Sequence, residues 1–332
     1  MTSTAMSAEP VARSQWQLFR RRFFRHRLAM IGLVLLTLLF VTCFGARWIA
    51  PYPRNQITVG IATTATTDNG GATDNEGAAG KGTGSDILDQ LLKDQEGGTD
   101  SRGSRPSSEH WFGTDILGRD YLTENLYAGQ LSLKIGVTVA LLSTVFGAIV
   151  GAFAGFLGRA LDRLLTGLID LFLIIPSIAL LAIAIKKFGQ SDTTVSLVLA
   201  ALAWMTIARI VRAQVLSLKE REFVDAARVA GASNARIVFR HLLPNMLGPI
   251  TVAATFNMAA AIVAESTLSF LGYGVRPPRT SWGNMLSTAE EFIGTNKAHL
   301  LYFPGLLILL TVLAINFLGD GLRDAFDPSA QR

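Results

Sequence analysis

Apolar residues along this chain are gathered into long runs instead of recurring every three or four positions as on a half-buried surface helix. Leu28–Ala46 and Ile135–Leu157 contain no charged residue. Each is long enough to cross a hydrocarbon core of about 30 Å as a helix of about 20 residues. Leu164–Ile185 with Asp170, Thr193–Val211 with Arg209, Asn245–Leu271 with Glu265, and Leu300–Leu318 continue the series. The pattern predicts an all-α integral membrane protein with six transmembrane helices. Its expected divisions are a basic N-terminal segment (1–27), a first span (28–50), a large loop (51–130), a core of five further spans (131–320) and a short tail (321–332).

The polar segments between the runs set an expected orientation. Residues 1–27, 159–163, 209–244 and the C-terminal tail hold 6, 2, 7 and 2 basic residues, 17 of the 30 in the chain. The 51–130 loop holds 12 acidic residues against 6 basic ones. By the positive-inside rule both termini are cytoplasmic and the large loop is extracytoplasmic. Within that loop, 62–108 is rich in Gly, Thr, Asp and Ser, with one amphipathic patch at Ile87, Leu88, Leu91 and Leu92. Such a composition buries too little apolar surface to build a core, so the insert is expected to be loosely packed. A second polar stretch, 273–299, carries Pro277-Pro278 and Trp282 and reads as a short structured outer cap.

Composition narrows the function classes. Hydrophobic residues make up 50% of the chain and charged ones 17%, with a mean hydropathy of +0.37, which suits a membrane protein and not a soluble domain. The net charge of +5 is topological, because the Arg20-Arg21-Arg22 run abuts a span; no nucleic-acid partner is implied. The N-terminal apolar run exceeds the 7–15 residues of a signal peptide, so it reads as a retained anchor. Cys43 is the single cysteine, which excludes an intramolecular disulfide, and His26, His110, His241 and His299 lack ligand spacing, so no metal site is expected. Gly80-Lys81 is not a phosphate loop, since Asn75 stands where glycine is needed and Gly82 where Ser or Thr would follow. No catalytic nucleophile and base are legible.

Several residues inside the runs call for an explanation. Gly147, Gly151 and Gly155 recur every four positions, a small-residue stripe that lets a neighbouring helix approach closely. Pro176 is expected to kink the third span or to end a regular stretch there. A carboxylate at mid-membrane costs about 2.5–3.5 kcal/mol on insertion scales, so Asp170 and Glu265 need a partner, a cavity or the interface. Asp170 is expected to pair with Arg163 or Arg159. Glu265, followed by Ser266 and Ser269, either lines a translocation path or gate, or is hydrated near the outer surface.

The 213–246 loop carries the most specific signal. Asp225-Ala226-Ala227-x3-Gly231-x9-His241-x-Leu243-Pro244 resembles the Glu-Ala-Ala loop of bacterial ABC importer permeases. His110-Trp111-Phe112-Gly113-Thr114-Asp115-x2-Gly118-Arg119-Asp120 and Leu268-Ser269-Phe270-Leu271-Gly272-Tyr273-Gly274, followed by Pro277-Pro278 and Ser281-Trp282-Gly283, narrow the resemblance. Together they resemble the second permease subunit of the dipeptide/oligopeptide/nickel import group, over nearly the whole chain except the first dozen residues and the insert. Asp225 departs from the usual glutamate and His241 from the usual isoleucine, and the insert is longer than the group's pattern.

That resemblance implies a type I importer permease in the bacterial cytoplasmic membrane, without catalytic activity of its own. It implies a second homologous permease, two cytoplasmic ATPases or one fused ATPase that use ATP and Mg, and an extracytoplasmic substrate-binding protein. It binds no cofactor itself. Peptides are the expected cargo, with nickel chelates or another small solute as the alternative; an ion-coupled secondary transporter is the rival class. Glu222, Asp225, Ala226, Ala227, Ala230, Gly231, His241, Leu243 and Pro244 would form the coupling loop, with Gly231 at the turn, the three alanines as a flat docking face, and Pro244 separating the second short helix from the fifth span.

Overall fold

The computed structural model describes residues 15–54, 102–174 and 176–326. The Gly80-Lys81 dipeptide, the amphipathic patch and most of the predicted insert lie outside the described residues. The longest helices are α2 (Arg27–Phe44), α4 (Tyr121–Leu157), α7 (Asp192–Leu218), α11 (Leu247–Phe270) and α13 (His299–Phe326). These five are long and apolar enough to cross a membrane, and among the described residues the only β pairing is an isolated bridge between Thr114 and Asp120.

The third predicted span is divided. It is two helices, α5 (Arg159–Ile174) and α6 (Ser177–Phe188), with an 88° bend between them. Pro176 is the cause the sequence supplies: it lacks an N–H and its ring excludes the carbonyl of the preceding turn, so a regular stretch ends here, the second of the two outcomes expected of it. Counted as one broken span, the pair brings the total to six.

Two ends of the bundle are tied by short elements. At one end α1 (Gln15–Arg25) lies against α13, with the Phe19 ring 4.4 Å from that of Phe326 and tilted by 35°, and Phe23 buried. The same end holds the link between α7 and α11. At the other end, α3 (Ala46–Ile49), the 102–120 loop and α12 (Trp282–Ala289) form a cap. The 102–120 loop is built around buried carboxylates. Asp120 accepts from His110 Nδ1 at 2.9 Å and caps α4 through Thr123 N at 2.8 Å, while Asp115 accepts from the amides of Leu117 and Arg119, both at 2.8 Å. Gly113 and Gly118, at φ of +77° and +79°, allow the two reversals that bring these groups together. The capped α4 therefore begins at Tyr121, well before the uncharged run at Ile135.

The glycine stripe on α4 faces α7. A Cβ on Gly147, Gly151 or Gly155 would lie 2.6, 2.4 or 3.0 Å from the carbonyl oxygens of Trp204, Ala208 and Arg212, so the two backbones touch along three turns. Without a hydrophobic drive between spans, this close packing is what holds the helices together. Side-chain pairs tie the next layer. Asp162 on α5 receives both Nε and Nη2 of Arg212 on α7, the latter at 2.8 Å. Asp170 meets Arg209 at 3.3 Å, on the surface of the isolated chain. Its predicted partners were on its own helix; the observed one is on α7, reached because the glycine stripe draws α4 and α7 together beside α5.

Candidate functional site

The loop between α7 and α11 folds as two short helices with an ordered turn. α8 (Glu222–Val229) has Glu222 and Asp225 in its first turn, where carboxylates meet the positive end of the helix dipole, and Arg228 in its last. Arg228 pairs with Asp225 at 2.9 Å and lies 5.5 Å from the Phe156 ring, fixing α8 to the end of α4. Gly231 ends the helix at φ +76°. Its amide donates to Arg228 O at 2.9 Å and that of Ala232 to Ala227 O at 3.0 Å. This is the Schellman arrangement, in which a left-handed residue satisfies the final carbonyls, and glycine adopts it without a Cβ clash. Ser233 then caps α9 (Asn234–Ile237) by accepting from the Arg236 amide.

The two faces of α8 are sharply different. Val224 and Ala227 are buried and join Ile237, Val238, Leu242 and Met246 in an apolar cluster with Ile207, Val211 and Val215 of α7. Leu243 packs at its edge. The opposite face presents Glu222, Phe223, Asp225, Ala226, Val229 and Ala230, with Val229 at 91% exposure. The expectation of a three-alanine docking face is corrected here. Ala226 and Ala230 are on the surface, but Ala227 is turned inward because Val224, three residues earlier, sets the buried phase. Phe223 and Val229 were missed, although they share the phase of Ala226 and could have been found by helical spacing.

Pro244 also differs from expectation. α9 continues through a π-helical turn (Val238–Leu242) into α10 (Leu243–Asn245), and the break before α11 falls at Met246. The wider turn accommodates a proline that has no N–H to give and whose ring would crowd the carbonyl four residues back. Leu243 N donates to Val238 O, and His241, half-buried, receives the Asn245 side-chain amide on its carbonyl at 2.8 Å. The second short helix thus runs almost directly into α11.

At the other end of α11, Glu265 has no exposed surface. Neither sequence expectation, a path-lining carboxylate or one hydrated at the rim, matches these surroundings. Ser269 Oγ donates to Oε1 at 2.7 Å, and Ser132 Oγ of α4 donates to Oε2 at 3.3 Å. Ser266 and Ser269 are buried beside it. The cap supplies the closure. Trp282 is fully buried, with Nε1 donating to Asn125 O at 3.0 Å, and a Cβ on Gly283 would lie 2.6 Å from Ser266 Cα. Among the described residues, no three His, Cys, Asp or Glu side chains come together as a metal set.

Comparisons with known proteins point one way. A family model described as the binding-protein-dependent transport system inner membrane component matches residues 147–332, and one described as the N-terminal TM domain of oligopeptide transport permease C matches residues 14–68. The chain is 39% identical over 326 residues to a Brucella abortus protein named as a peptide transport system permease, covering 98% of this chain and 96% of that one. It is 43% identical over 223 residues to the dipeptide transport system permease protein DppC of Alkalihalophilus pseudofirmus, covering 67% and 73% of the two chains. Among solved structures, a chain of the inward-facing MetNI methionine ABC transporter superposes with a TM-score of 0.50 at 22% identity, covering 61% of this chain and 96% of that one. That last likeness concerns the fold.

Proposed function

This chain belongs to the family of binding-protein-dependent transport system inner membrane components, and we propose that it is the peptide-carrying permease half of an ATP-driven importer. It is a multi-pass membrane subunit with the importer permease fold, not an enzyme, and its family works with ATPase and substrate-binding partners. The finer reading is that a second, homologous permease completes the translocation path. Separate or fused cytoplasmic ATPases, using ATP and Mg, dock on the α8 face, and an extracytoplasmic receptor delivers di- or oligopeptides to the cap. The termini and α8 are then cytoplasmic, as the basic residues of 1–27 and 209–244 require.

The single observation that carries this reading is the α8–Gly231–α9 turn. One face is anchored in the apolar cluster while Phe223, Ala226 and Val229 are left uncovered, and it leads through α10 into a spanning helix. A loop serving only the positive-inside rule has no need of an exposed apolar stripe. Gentle purification tests the reading: the chain should co-purify with a second permease and ATPase subunits, and the assembled complex should take up labelled peptide in vesicles only with receptor and ATP. Peptide uptake by this chain alone, driven by an ion gradient, would replace the reading with that of a secondary transporter.

A further inference from the structure

The surroundings of Glu265 have a direction. Asn284 N donates to Ser281 Oγ at 3.3 Å, Ser281 Oγ donates to Ser269 Oγ at 3.3 Å, and Ser269 Oγ donates to Glu265 Oε1 at 2.7 Å. On the other side Trp282 N donates to Ser132 Oγ at 3.2 Å, which donates to Glu265 Oε2 at 3.3 Å. Each chain begins at a backbone N–H, which can only donate, and ends on the carboxyl group; every hydroxyl between passes its proton toward Glu265. Trp282 and Asn284 are the first and third residues of α12, where amides have no partner within the helix. The first intrahelical bond there is Met285 N to Ser281 O at 3.0 Å. Two of the otherwise orphaned donors of α12 are therefore linked to one side chain of α11, and the second link passes through α4. A carboxylate facing a helix N-terminus also meets the positive end of its dipole.

We propose that Glu265 is the positioning residue that fixes the outer cap to the spans, so that a load on α12 is carried down α11 to the α8–Gly231 turn. α11 joins the two directly: Glu265 is near one end, and the other end follows α10 after a single turn residue, Met246. Gly283, pressed against Ser266, leaves no slack between cap and helix. Glutamine has the shape of glutamate but only one acceptor oxygen. In Glu265→Gln, one of the two hydroxyls must turn its proton away, and that chain loses its terminal acceptor.

The proposal rests on the import reading above, and its test separates the two. The full complex, with partner permease, ATPases and receptor in lipid nanodiscs, is followed by hydrogen exchange at residues 281–284 and by ATP hydrolysis with and without loaded receptor. For Glu265→Gln, exchange at Trp282 or Asn284 should quicken by about tenfold, the loss of one hydrogen bond. Receptor stimulation should fall several-fold while receptor-independent hydrolysis holds. Ser132→Ala and Ser269→Ala, each cutting one chain, should do the same more weakly, and they decide the matter if Glu265→Gln fails to assemble. Unchanged exchange, or quickened exchange with stimulation intact, overturns the proposal. So does an equal fall in basal and stimulated hydrolysis, which would make Glu265 a folding residue only. A wild-type complex that no receptor stimulates would defeat the import reading, leaving the exchange measurement to judge the cap linkage.

Discussion

Gly151 and Gly231 are glycines for different reasons. A Cβ on Gly151 would meet Ala208 O at 2.4 Å, whereas nothing lies within 4 Å of one on Gly231, where φ of +76° is the constraint. Gly151→Val must force α4 and α7 apart, and overpacking of this kind costs about 1–3 kcal/mol. The purified variant should melt several degrees lower in detergent. Gly231→Asn, a residue that visits the left-handed region readily, should melt like wild type. A wild-type melting curve for Gly151→Val would show that the α4–α7 contact has room to spare. Cys43 offers a second probe at this scale. It is 2% exposed, and a Cβ on Gly129 would lie 2.4 Å from its sulfur. It should resist maleimide in the native protein and react after denaturation; native labelling would contradict the packing of α2 against α4.

At the scale of elements, α8 is an amphipathic helix whose two faces predict opposite outcomes. Val229→Glu adds charge where exposure is 91%, so the chain should fold and melt normally but lose its ATPases on purification. Ala227→Glu buries a carboxylate among Val224, Ile237 and Leu242, and should destabilise the loop itself by several kcal/mol. Protease sensitivity within 219–246 separates the cases: raised for Ala227→Glu, unchanged for Val229→Glu. The reverse pattern would invert the assigned faces. Much of this element was legible, because Gly231 marks the turn and the motif spacing marks the loop. The phase of the alanines was not, since it depends on α7 lying beneath Val224. Asp170 shows the same limit. Sequence offers Arg163 within helical reach, while the observed partner Arg209 is brought in by a third helix. The start of α4 at Tyr121 escaped the hydrophobic pattern because its first turns are covered by the cap and carry buried polar residues such as Asn125.

The molecule as a whole is a bundle with a capped end and an end that carries the α8 turn, and the spans were readable because charge is excluded from long runs. What the runs cannot show is how the ends are closed: the Asp115 and Asp120 turns, the burial of Trp282 and the hydroxyl chains to Glu265 all join residues far apart in sequence. The proposed orientation, with the basic α8 end in the cytoplasm, predicts that protease added to intact spheroplasts cuts within 62–105 and spares the α8 loop. Cutting of 62–105 only in inverted vesicles would reverse the orientation. The central claim is that the α8–Gly231–α9 turn links ATP hydrolysis to uptake. Gly231→Val forces a β-branched residue to φ of +76°, a strain of about 1–3 kcal/mol that tilts α8 away from its anchored position. In vesicles holding the complete complex with loaded receptor, this variant is predicted to lose its ATPases or to hydrolyse ATP without receptor stimulation, and to accumulate no peptide. Wild-type stimulation and uptake by Gly231→Val would contradict the account.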